Sequence, residues 1–84
     1  MASKFKTRAI ECCEIIGHDW IARVVIAHDP NPKCKAPYHV RRLRHDGGNN
    51  NSTHAEYETA RRAADATVDT CVDEGAHAAD FVAI

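Results

Sequence analysis

The sequence predicts an α+β domain: a three-stranded antiparallel sheet, with a fourth strand admitted at the C-terminus, packed on one long C-terminal helix. Three observations carry that prediction. WIARVVIAH is β-branched with apolar alternate positions, PYHVRRLR is a second extended run beyond a proline loop, and STHAEYETARRAADATVDTCVDEG has helical periodicity with a signal at each end. The 84 residues provide for one small core, so the whole chain, 1–84, is read as a single domain.

The central strand is expected over 20–28. Trp20, Ala22, Val24 and Ile26 form one apolar face, and Ile21, Arg23, Val25 and Ala27 form a second that is partly apolar. DPNPKCKAP cannot continue a ladder, because Pro30 and Pro32, two residues apart, remove backbone donors, and it reads as a long hairpin loop. A first strand over 7–15 shows no clean face: Ile10 and Cys12 alternate with Ala9, Cys13 and Ile15. Gly17, His18 and Asp19 then supply the turn. A third strand over 37–44 should pair with the other side of the central one. Tyr38 and Val40 would point inward and His39 and Arg41 outward, while Arg42 and Leu43 break the alternation and indicate a bulge.

DGGNNN reads as the turn that ends the sheet. The helix follows over 54–74. Thr53 and Glu56 stand at capping-box spacing, and Gly75 is placed for a left-handed C-terminus. Its inner stripe is Tyr57, Ala60, Ala64, Val68, Cys71 and Val72. Outside lie the pairs Glu58–Arg62 and Arg61–Asp65 and a column of Asp65, Asp69 and Asp73, which serves either as a contact surface or as a solvated face. The tail ADFVAI forms an edge strand near 79–83 or an arm that packs Phe81.

Charge divides the chain more sharply than its net value of −1 implies. Residues 1–45 hold nine Lys and Arg against four acids, or +5, whereas residues 46–84 hold two against eight, or −6. Such a molecule can offer a basic surface to an acidic partner. Lys33, Lys35, Arg41, Arg42 and Arg44, with Tyr38 and His39 beside them, are the candidate binding residues on the basic side, and Asp65, Asp69 and Asp73 those on the acidic side. Adjacent Arg41 and Arg42 should point to opposite faces of the sheet, so the cluster reads equally as a binding edge or as stems covering sheet surface.

No nucleophile elbow, P-loop, HExxH or dinucleotide fingerprint is present, and so short a chain has little room for a substrate cleft. No catalytic residue is assigned and a non-enzymatic role is expected. The His-Asp pairs at 18–19, 28–29 and 45–46, and the set His28, Cys34 and His39, lack the usual zinc spacings, so neither a metal nor another cofactor is assigned. The four cysteines read as small buried hydrophobes with at most one exposed thiol. MASKFKTRAIECCEII lacks the apolar stretch and cleavage site of a secretory signal, and no run approaches ~20 apolar residues. The expectation is a cytoplasmic protein without a membrane partner, and an open edge at the third strand or tail admits a homodimer.

Two resemblances add to this reading. A three-stranded sheet before an alanine-rich helix resembles the second part of a double-stranded RNA-binding domain, which implies direct RNA binding. That family's basic signature would fall on THAEYETARR, and its first helix would come from KFKTRAIECCEII. In size, layout and composition the chain also resembles the small phage-encoded anti-CRISPR inhibitors, and no specific motif carries over. That resemblance implies an inhibitor that blocks a CRISPR ribonucleoprotein in a bacterial host cytoplasm by occupying one of its protein or nucleic-acid surfaces.

Overall fold

The computed structural model describes residues 6–84, so Lys4 of the basic half lies outside the described residues. Four strands form an antiparallel meander: β1 (Arg8–Ile16), β2 (Ile21–His28), β3 (Tyr38–Arg44) and β4 (Asn50–His54). Helix α1 (Tyr57–Asp73) follows, and two short strands, β5 (His77–Ala78) and β6 (Val82–Ala83), return to the free edge of β1. The sheet order is β4-β3-β2-β1-β5, with β6 also on β1, so β2 is central as expected.

Two sequence expectations about the sheet are corrected. The polar run after β3 does not end the sheet, because Asn50–His54 pairs along β3 from Tyr38 to Arg42. Asparagine is depleted in strands, which hid β4, but an edge strand gains most from its ladder and needs no apolar face. The hairpin turn before it is tied by its own side chains. Arg44 grips Asp46 through two bonds of 3.0 and 2.7 Å, Gly48 N–H donates to Asp46 at 3.2 Å, and Arg44 N–H donates to Asn49 at 3.1 Å. The irregularity foreseen at Arg42 and Leu43 is absent, since β2 and β3 pair residue for residue. A bulge lies instead in β1 between Ala9 and Glu11. It explains why neither face of that segment read cleanly: Ala9 stands opposite Ala27, whereas Glu11 stands opposite Ile26, on the other side of the sheet.

The tail supplies two short pairings at 77–78 and 82–83 in place of one strand over 79–83, and Phe81 between them packs against the core. The helix begins later than predicted, with Glu56 at its N-cap and no side-chain cap bond, because Thr53 is engaged in β4. Its C-terminus is as predicted. Gly75 takes φ +98°, its N–H donates to Val72 O at 2.9 Å, and Ala76 N–H donates to Cys71 O at 3.0 Å, the paired closure of a Schellman motif.

The core lies between α1 and one sheet face: Cys13, Ile15, Ala22, Val24, Ile26 and Val40 from the strands, with Ala60, Ala64, Cys71 and Ala76. Two alanines and a cysteine, Ala60, Ala64 and Cys71, let the helix approach closely, while Tyr57 and Val72, expected inside, are exposed. Trp20 packs at the margin, against the backbone of Gly17, where an added Cβ would overlap the indole. Among the described residues no helix is long and apolar enough to cross a membrane. Ala64 leaves no room for growth. Ala64→Leu should destabilise the domain by ~1–3 kcal/mol in urea unfolding, whereas the same change at exposed Ala66 should be nearly neutral.

Candidate functional site

The strand register sorts the side chains into two faces. Even-numbered residues of β2 and β3, with Glu11, Cys13 and Ile15 of β1, lie on the helix side. The opposite face carries the rows Ile16–Ile21, Glu14–Arg23–Leu43, Cys12–Val25–Arg41–Asn51 and Ala27–His39–Thr53. Val82 joins it beside Cys12. Among the described residues α1 is the only helix, and it packs on the other side.

An antiparallel sheet open to water normally alternates apolar-in and polar-out. This one does not. Ile16, Ile21, Leu43 and Val82 project from the open face with 60%, 56%, 40% and 64% of their surface exposed. A recess of about 460 Å³ lies among Glu14, Ile16, Ile21, Arg23, Leu43 and His45. Arg23 and Glu14, 3.5 Å apart and both exposed, border it with Arg44; Arg41, farther along the same face, has no ion-pair partner among the described residues. At the far end Ala27 is buried, and both ring nitrogens of His39 are shut off from solvent without a hydrogen bond. The apolar surface is thus concentrated toward the β1–β2 turn.

The predicted basic cluster does not assemble. Only Arg41 and His39 reach the open face. Arg42 turns to the helix side, donating to Gly48 O at 3.3 Å, and Arg44 lies over the Trp20 ring at 4.6 Å while holding Asp46. Lys33 and Lys35 are exposed in the loop after β2, which Asp29 and Asn31 brace through side-chain bonds of 3.0 Å to the backbone of Asn31 and Lys33. Tyr38, expected to point inward, is on the helix side between His28, at 4.9 Å, and Tyr57, at 5.9 Å, and so away from Arg41. Trp20 is on that side too, so among the described residues no Trp or Tyr ring shares a face with Arg41.

The acidic column is split as well. Asp65 bonds Arg61 at 3.2 Å, and with Asp69 and Asp80 it borders a cleft of about 490 Å³ between the helix and the tail; Asp73 is exposed at the helix end. Sequence reasoning missed the clamp beside this cleft. Glu11 accepts from the Tyr57 hydroxyl and from Arg61 at 2.7 Å, and the Arg61 guanidinium lies 4.3 Å from the Phe81 ring, tying strand, helix and tail together. Donation to Glu11 raises the Tyr57 pKa above its ordinary value. Alternation with Cys13 and Ile15 puts Glu11 on the helix side, but its partners Tyr57, Arg61 and Phe81 are 46 or more residues away, and local pattern does not record such a pairing.

The proposed His-Asp and His28–Cys34–His39 groupings are not formed: among the described residues no three His, Cys, Asp or Glu side chains converge as a metal site. His45 Nδ1 instead accepts from Ile21 N–H at 3.0 Å. Burial raises the pKa of Cys12, Cys13 and Cys71, so these thiols stay protonated and weakly nucleophilic at neutral pH. The first helix implied by the RNA-binding resemblance is strand β1. Comparison of the chain with family models, curated proteins and solved structures finds no match.

The Arg44 bonds, followed by the Gly48 N–H, hold the Asp46 carboxyl below the usual carboxylate range. A carboxyl with a lowered folded-state pKa stabilises the fold above its unfolded value and loses that contribution as pH falls through the folded one. Asp46→Asn should therefore lower the urea midpoint slightly at neutral pH. The difference from wild type should shrink toward zero as pH falls below about 4 in parallel titrations.

Proposed function

We propose that this chain is a non-enzymatic binding module that acts by occupying the surface of a protein partner, with the open sheet face as its apolar anchor. The observation that carries the reading is the exposure of Ile16, Ile21 and Leu43 together around one recess on a face that no helix covers. Large apolar side chains grouped on a surface and rimmed by charge mark contact sites, and such contacts draw their strength from a desolvated centre. Inhibition of a CRISPR ribonucleoprotein is the particular form we propose, on the strength of the layout resemblance. Direct nucleic-acid binding is less well supported: single strands bind through aromatic stacking along a basic groove, and here Trp20 and Tyr38 lie on the side opposite Arg23 and Arg41.

The test is target cleavage by a panel of reconstituted CRISPR ribonucleoproteins, with wild-type protein and with Ile16→Glu and Leu43→Glu variants checked for folding. At least one complex should be inhibited by wild type, and each variant should weaken that inhibition at least ~10-fold. The opposing result comes from titrations with labelled RNA and DNA. Binding that falls steeply between about 50 and 200 mM salt, and is lost with Arg23→Glu and Arg41→Glu, would replace this reading with a nucleic-acid module.

A further inference from the structure

We infer that in the free protein the open sheet face is covered by a second copy of this chain, packed face to face about a two-fold axis and dissociating before the face meets its partner; this rests on the reading of that face as a protein contact. Three features favour a copy over an unrelated protein. The first is charge. The exposed part of the face carries one acid, Glu14, and two bases, Arg23 and Arg41, so it holds both signs at nearly balanced charge. The long acidic column lies on the helix, away from this face. A face evolved for a strongly acidic partner would carry one sign only; a self-complementary face needs both, because every residue meets its own surface.

The second feature is shape. Ile16, Ile21 and Leu43 project beside a recess of about 460 Å³ that they themselves help to line. Projections and a hollow of comparable chemistry on one surface fit the ~10 Å face-to-face spacing of stacked sheets, in which side chains from two inner faces interdigitate.

The third is area and need. Four strands ~4.8 Å apart and about seven residues long at ~3.3 Å each give roughly 440 Å² in plan. Side-chain relief brings this to the lower end of standard interfaces, which bury ~1,200–2,000 Å² in total. The core on the helix side is also thin: its largest fully buried side chains are Ile15, Ile26, Val24 and Cys13. A second apolar layer would add to so thin a core. The assembly is helix, sheet, sheet, helix. It leaves both acidic helices and both Lys33–Lys35 loops on the outside for any third molecule.

The experiment combines sedimentation velocity with cysteine labelling on the purified full chain. The chain mass is 9.3 kDa, so wild type should sediment at about twice that mass at high concentration and dissociate on dilution through the micromolar range. Ile21→Glu and Leu43→Glu, both at exposed positions, should sediment as monomers with unchanged circular dichroism. Cys12 lies on the face and Cys34 in the loop, so maleimide labelling read by peptide mass spectrometry gives an internal control within one molecule. Labelling of Cys12 relative to Cys34 should fall at least ~5-fold on going from dilute to concentrated wild-type protein, and should not change in the variants. A wild type that stays monomeric at all concentrations overturns the inference, and leaves the open face to a foreign protein. A dimer that survives both substitutions with Cys12 labelled freely overturns it too, since the contact then lies elsewhere. The underlying reading fails separately, if the face variants still inhibit the ribonucleoprotein as wild type does.

Discussion

One helix has to cover a sheet that is wider than itself. A helix is ~10–12 Å across with its side chains, about the width of two or three strands spaced at ~4.8 Å, whereas this sheet has five positions from β4 to β5. Close approach decides how much of the sheet becomes core, and Ala60, Ala64 and Cys71 provide it by presenting almost no bulk. Buried side chains consequently gather on β1, β2 and β3 beneath the helix. The outer strands are short or polar, and they are held by ladder bonds and side-chain clamps more than by burial.

Several polar interactions are best understood as compensation for that narrow cover. Arg61 and Tyr57 reach from the helix to Glu11, and Arg61 extends over Phe81, so the tail is secured where the helix itself does not reach. At the opposite corner Arg44 covers Trp20 and grips Asp46, closing the turn into β4. Arginines that read as a basic binding edge in the sequence thus act largely as amphipathic covers, their stems on apolar surface and their heads bonded. The same constraint leaves the second face without any helix, and there Ile16, Ile21, Leu43 and Val82 are not explained by the chain's own packing. Function is sought on that face because the fold requires nothing of those side chains.

The electrostatic polarity of the chain survives folding in altered form. The acids of the second half line one edge of the helix, and the open face across the sheet carries Arg23 and Arg41 with Glu14. Both signs occur on both sides of the sheet, and neither side presents the dense single-signed patch that the sequence suggested, because alternation along β3 sends Arg41 one way and Arg42 and Arg44 the other.

The sequence alone determined the α+β class, the central strand, the hairpin loop, the helix and its Gly75 closure. Each of these rests on local chemistry: alternation in IARVVIAH, proline in DPNPKCKAP, 3.6-residue periodicity, and a glycine free to take positive φ. Only the tertiary structure decided the rest. The polar β4 exists because β3 offers it a ladder, a long-range gain that composition does not record. One extra residue in β1 reversed the facing of everything before it, and the packing of helix and tail over the sheet brought Tyr57 and Arg61 to Glu11. Even the second apolar face of β2, visible in the residues Ile21 and Val25, became a candidate site only once the structure showed that the single helix lies on the other side. A side chain's neighbours across a sheet are set by pairing, and pairing is a property of the whole chain.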